Sequence, residues 1–262
     1  MAQINAPAVA AINRPAGLVL LEFIPGPTLA TLLRGCHDEK VLLKAIKMLG
    51  RTARTLHDSG EVRSTGLPRV DLTRGLLKEK RILRKTIGVE SQGSMNCSQE
   101  MSTAYFYAEL HDLLQAFCAG LRLTASDLSV VHGDLWSANI IAAGRHIGLV
   151  DFEWACIADP ILDTSRVFAR GLVSRDLRGA YKVRPPRHLW DAFRLGYGKG
   201  AKTDETSPAF RAALAFGLVR TINHYTGVIS ITTEAEKRKR LDRSRIRVAR
   251  ALISYLQEHK AR

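Results

Sequence analysis

Residues 130–155, VVHGDLWSANIIAAGRHIGLVDFEWA, limit the folds open to this chain more than any other stretch. Two short apolar runs, 139–142 and 146–150, flank Ala143-Gly144-Arg145. Gly144 is free to take a positive φ, so the run reads as a tight β-hairpin. His132-Gly133-Asp134 stands just before the hairpin, Asn139 is five residues past the aspartate, and Asp151-Phe152 follows the second strand. The ends of a hairpin lie side by side, which places Asp134, Asn139 and Asp151 at one mouth. That set suits phosphoryl transfer from a nucleotide. The reaction needs a carboxylate to orient the attacking hydroxyl and two more oxygen ligands to hold Mg²⁺ against the phosphates. The alternative is local: Asp134 and Asn139 as turn formers, Asp151 as a cap. An isolated H-x-D-x-x-x-x-N should arise in roughly one or two per cent of chains this long at ordinary residue frequencies. The strand pair and the D-F at its far end make coincidence rarer still.

HGDLWSANII resembles the catalytic loop of the aminoglycoside phosphotransferase and choline kinase group, within the protein-kinase-like fold. LVDFEWACIADPILDTSR is similar to that group's metal-binding segment and the helix start that follows. The resemblance implies that Asp134 is the catalytic aspartate, that His132 braces the loop, and that Asn139 and Asp151 ligate Mg²⁺. It further implies that Asp163 ties the helix beneath to the loop backbone. Upstream, LVLLEFIPGPTL resembles the last N-lobe strand and hinge, where backbone groups at about Glu22, Phe23 and Ile24 would bond the adenine edge of ATP. On its residues alone this segment is equally a strand, a Pro-Gly turn and a helix capped by Thr28. The resemblance covers residues 8–60 and 125–170.

The chain departs from the family pattern before the hinge. About two dozen residues precede it, room for two strands, 8–12 and 18–23, at about 3.3 Å per residue. No glycine-rich phosphate loop occurs there, and no lysine before Lys40. The expected architecture is therefore α+β and protein-kinase-like: an N-lobe remnant over 1–27 and a mainly helical C-lobe over 28–262. Such a chain is expected to hold MgATP weakly, to transfer little phosphate by itself, and to expose apolar surface that invites self-association.

Elsewhere the pattern is helical. Val41, Leu42, Ala45, Ile46, Leu49, Ala53 and Leu56 recur at helical spacing, and His57 falls on the last turn, where a cation suits the helix dipole. Residues 74–85 form a basic helical run, 88–100 are Ser/Gly/Asn-rich and read as a loop, and 101–123 return to helix. The family places substrate-recognising helices in this neighbourhood. Asp159-Pro160 reads as a helix start. Residues 196–203, GYGKGAKT, nearly match a P-loop but carry Ala201 at the second glycine position and follow a helix instead of a strand. Helices are expected over 188–195, 211–225 and 233–260, the last very basic.

The formal net charge of +14 favours anionic partners, including an anionic acceptor, yet no nucleic-acid motif accompanies it and no DNA partner is expected. Cysteines 36, 97, 118 and 156 show no metal or disulfide spacing and read as reduced thiols. No transmembrane run or signal peptide is apparent, so a cytoplasmic protein is expected. The sequence thus points to an ATP- and Mg²⁺-dependent kinase acting on a hydroxyl of a small molecule. The rival reading is a weak or inactive kinase-like protein that binds a partner or nucleotide through its basic surfaces.

Overall fold

The computed structural model describes residues 6–13, 18–36, 38–59, 66–90, 97–121, 127–171 and 185–260. In chain order its elements are β1 (Val9–Asn13), β2 (Leu18–Leu21), α1 (Leu29–Gly35), α2 (Glu39–His57), α3 (Leu72–Glu90), α4 (Cys97–Gly120), β3 (Ser129–Val131), β4 (Ile140–Ala143), β5 (His146–Leu149), β6 (Cys156–Ala158), α5 (Ile161–Arg166), α6 (Arg187–Tyr197), α7 (Pro208–Ile231) and α8 (Ala235–Lys260). They fall into two compact units, one of residues 1–69, 127–175 and 184–204, the other of 70–126, 176–183 and 205–262.

The first unit carries all the strands among the described residues. β1 and β2 pair antiparallel, as the sequence suggests, with the connecting residues 14–17 outside those described. β4 and β5 form the expected hairpin, with Ile140 opposite Leu149 and Ala143 opposite His146, while β3 pairs with β6 across the two ends of that hairpin. Gly144 takes φ 62° at the turn. The unit's helical core is α2 against α6. The periodic residues Leu42, Ala45, Ile46, Leu49, Ala53 and Leu56 are buried, as are Leu189, Trp190 and Phe193 opposite, with Trp190 and Phe193 stacked 5.2 Å apart. Each buried Leu, Ile or Phe among them contributes about 1.5–3 kcal/mol by leaving water. The helices approach closely because Gly50 and Gly196 face each other's backbones: a Cβ at Gly196 would strike the Lys47 carbonyl. Thr28 caps α1 by accepting the Thr31 N–H at 3.2 Å, and Asp38 caps α2.

The second unit is helical. α3 packs on α7 and α4, and α8 packs on the same two helices. Leu76, Leu83, Leu110, Leu114, Phe210, Leu218, Val248, Leu252 and Leu256 are buried. Arg245 is buried too, 2.7 Å from Asp242 and stacked over the Tyr107 ring at 5.3 Å. The neighbouring Arg240, Arg243, Arg247 and Arg250 are exposed. The loop expected over 88–100 is corrected: α3 runs on to Glu90 and α4 begins at Cys97, which leaves only 91–96 outside the described residues. A single glycine in a helix costs only about 1 kcal/mol against alanine, so Gly88 is tolerated without a break. Among the described residues, no helix is long and apolar enough to cross a membrane. Cys36, Cys118 and Cys156 are in no disulfide.

Candidate active site

The loop between β3 and β4 is fixed from both sides. His132 is fully buried, and its Nε2 lies 2.9 Å from the Val150 carbonyl while its Nδ1 receives the Asp134 N–H at 3.3 Å. A carbonyl only accepts and a peptide N–H only donates, so the imidazole is neutral with its proton on Nε2. The ring also rests on Phe152, 4.5 Å between centroids. His132 thereby links the segment before the hairpin to the segment after it. Between them Gly133 turns at φ 75°, and any Cβ there would collide with the Trp154 carbonyl, so only glycine fits.

The three polar residues singled out in the sequence meet at this mouth. Asn139 donates through Nδ2 to the Asp134 carbonyl at 3.1 Å and faces the Asp134 carboxylate at 3.3 Å. The Asn139 carbonyl accepts the Val150 N–H at 3.1 Å, which sets Asn139 beside the residue preceding Asp151. Asp151 takes φ 64° and ψ 66°, the one non-glycine positive φ among the described residues. Aspartate tolerates this region better than most side chains, and such strain concentrates at working sites. Its carboxylate is exposed and forms no hydrogen bond or ion pair among the described residues. No group of three His, Cys, Asp or Glu forms a metal cage among those residues. An amide oxygen and a free carboxylate instead suit Mg²⁺, which usually takes one or two protein ligands and completes its shell with phosphate and water.

Beneath the loop lies Asp163, completely buried on α5. Its carboxylate accepts the His132 N–H at 2.7 Å and the Gly133 N–H at 2.9 Å, the contact to the loop backbone that the family resemblance implied. It also faces His57 Nε2 at 3.1 Å, and His57 Nδ1 lies 2.9 Å from the Tyr197 hydroxyl. Burial alone would push the Asp163 carboxyl up. The hydrogen bond and electrostatic attraction of His57, with the His132 ring and its backbone N–H, outweigh it and hold the group below its usual value. Burial pushes the Tyr197 phenol up, so it stays protonated beside His57 Nδ1. His57, on the last turn of α2 as expected, is a buried link from α2 to α5 and α6.

The hinge candidates lie at the end of β2. The Glu22 N–H is already committed to the Ala8 carbonyl at 2.8 Å. Phe23 is 83% exposed and Ile24 buried, and neither makes a backbone hydrogen bond among the described residues, so their peptide groups are open to a ligand edge. Just beyond, the Pro27 carbonyl accepts the Ala142 N–H at 2.9 Å, and the Ser137 carbonyl accepts the Ala30 N–H at 2.9 Å. The hinge run is thus stitched to the hairpin and the loop. The P-loop look-alike is elsewhere engaged: Lys202 Nζ lies 2.8 Å from Asp159 Oδ1, and the Thr203 hydroxyl donates to the Gly198 carbonyl at 3.2 Å.

Arg166, His57 and Tyr197 were not picked out as site residues from the sequence. Arg166 Nη2 sits 2.7 Å from Asp134 Oδ1. The available signal was its spacing from Asp163, three residues along one short helix, which puts both on one face.

The fold recurs in solved structures. Spectinomycin phosphotransferase APH(9)-Ia, in complex with ADP and spectinomycin, superposes with a TM-score of 0.60 at 16% identity over 92% of this chain and 66% of that one. A choline/ethanolamine kinase family protein from Mesorhizobium loti gives 0.60 at 14% identity, covering 98% and 76%. The GDP complex of aminoglycoside 2'-phosphotransferase-IIIa gives 0.60 at 15% identity, covering 99% and 76%. The chain thus spans about two thirds of the spectinomycin enzyme's own chain. No curated protein matches the sequence. The fold is that of the protein-kinase-like small-molecule phosphotransferases. The sequence model of the phosphotransferase enzyme family (APH) matches residues 2–211, and the chain belongs to that family.

Proposed function

We propose that the protein is a Mg²⁺-dependent kinase that moves the γ-phosphoryl group of ATP to a hydroxyl of a small molecule. The observation that carries this is the closed mouth itself, where Asp134 is fixed beside Asn139 and a free Asp151 carboxylate stands at the other hairpin end. Asp134 orients the acceptor hydroxyl and takes its proton, and His132 keeps the loop in place. Asn139 and Asp151 would hold Mg²⁺, which when bound supplies the positive charge that offsets the phosphates. The open peptide groups near Phe23 and Ile24, next to Glu22, would bind the adenine edge. The net charge of +14 suits an anionic acceptor. Family membership supports phosphoryl transfer, and the ADP and GDP in related structures support a nucleotide donor.

Calorimetry with MgATP tests the assignment. Asp151→Ala is expected to lose Mg²⁺-dependent nucleotide binding while keeping its melting temperature, whereas Lys202→Ala should bind as the parent does. Unchanged MgATP affinity in the Asp151 variant would remove the metal site from the hairpin mouth. A loss confined to the Lys202 variant would point to residues 196–203 instead.

A further inference from the structure

We propose that Arg166 is a positioning residue for phosphoryl transfer: its guanidinium holds Asp134 Oδ1 and leaves Oδ2 as the oxygen that receives the hydroxyl proton. The inference rests on the kinase reading and deepens it.

Arg166 closes α5, its side chain is 8% exposed, and its Nη2 lies 2.7 Å from Asp134 Oδ1. A guanidinium so deeply withdrawn from water needs an anionic partner. The nearest by helix spacing is Asp163, three residues earlier on the same face, but that carboxylate is occupied by two loop N–H groups and His57. Arg166 reaches the mouth of the hairpin instead. One face of α5 therefore holds the loop twice, its backbone through Asp163 and its reactive side chain through Arg166. Directly after Arg166 the helix widens into a π-helical turn, Val167–Gly171, a feature that often accompanies working sites.

The consequence is a difference between two otherwise equivalent oxygens. Oδ1 makes a short, charge-assisted bond that stops the carboxylate from rotating. Among the described residues Oδ2 faces only the Asn139 amide, at a loose 3.3 Å, and can exchange it for a hydroxyl. In the transfer, the hydroxyl oxygen forms a bond to the γ-phosphorus and the bond from that phosphorus to the β–γ bridging oxygen breaks. The electron pair leaves with ADP, and the hydroxyl proton passes to Oδ2 and on to water. Arg166 stays charged throughout and touches neither reactant.

The test uses the full chain with γ-labelled ATP and Mg²⁺ under single-turnover conditions, water serving as acceptor. The proteins are the parent, Arg166→Gln, Arg166→Lys, Asp134→Asn and the double variant Asp134→Asn/Arg166→Gln. Arg166→Gln is expected to slow hydrolysis by about 10–100-fold, the scale of a misplaced reacting group, with MgATP affinity unchanged within about twofold. Arg166→Lys should recover part of the rate, and Arg166→Gln should cost nothing further once Asp134 is asparagine. A parental rate in Arg166→Gln, losses that multiply in the double variant, or an affinity that falls with the rate would make Arg166 a structural rivet and overturn the proposal. If the glutamine variant does not fold, Arg166→Lys decides on the same readouts: a loss of rate that vanishes in the Asp134→Asn background supports the proposal, and a parental rate or a persisting loss overturns it. Hydrolysis by the parent no faster than by Asp134→Asn overturns the kinase reading, and this inference with it.

Discussion

Asp163→Ala is expected to cost the fold about 3–5 kcal/mol, the scale for removing one member of a buried charged pair. The carboxylate is wholly buried and satisfies the His132 and Gly133 N–H groups and His57 together. Its loss strands those donors, so catalytic-loop order and global stability should fall together. The folded carboxyl titrates below its unfolded value of about 3.9, so its contribution is complete above that pH and disappears as pH drops through the folded value. The gap between parent and variant should therefore be widest near neutrality and narrow below about pH 4. Urea midpoints measured between pH 3 and pH 7 check this. A gap that stays constant across that range would mean that the charge of Asp163 is not what stabilises the fold.

Asp134→Asn carries the second large effect. Asparagine keeps the shape and can still meet Asn139, but it cannot take a proton. Turnover is expected to fall by about 10²–10⁴-fold, the usual worth of a positioned general base, with MgATP binding retained. Part of any change in melting temperature will come from the weakened contact with Arg166. Phosphate transfer at the parental rate by the asparagine variant would take the proton-accepting role away from residue 134.

The geometry of the candidate site was legible in the sequence where it is local. Asp134, Asn139 and Asp151 lie within one loop–hairpin–loop, and a hairpin brings its ends together whatever surrounds it. Asp163 came only through the family resemblance, since nothing in a buried helical run shows which loop its carboxylate faces. The partners of His57 are hidden for the same reason. Helix spacing gives its place on the last turn of α2, and only the packing of α2 on α6 brings Tyr197 and Asp163 to its ring. Arg166 was passed over because an arginine ending a short helix ordinarily meets water or the helix dipole. The 88–100 misreading came from composition: Ser, Gly and Asn favour loops on average, but α3 carries its helix through Gly88 and α4 begins before Glu100.

The bonds beneath the loop also bear on how this region opens. Loops normally exchange their amide hydrogens through small, inexpensive fluctuations. Here the His132 and Gly133 amides end on a carboxylate with no solvent exposure, itself coupled through His57 and Tyr197 to the packed α2 and α6 helices. Neither amide can reach water unless that helix pair loosens as well. Deuterium should accordingly enter these two loop positions as slowly as it enters the centre of α2, while the turn at Gly144 and Arg145, only a dozen residues on, labels almost at once.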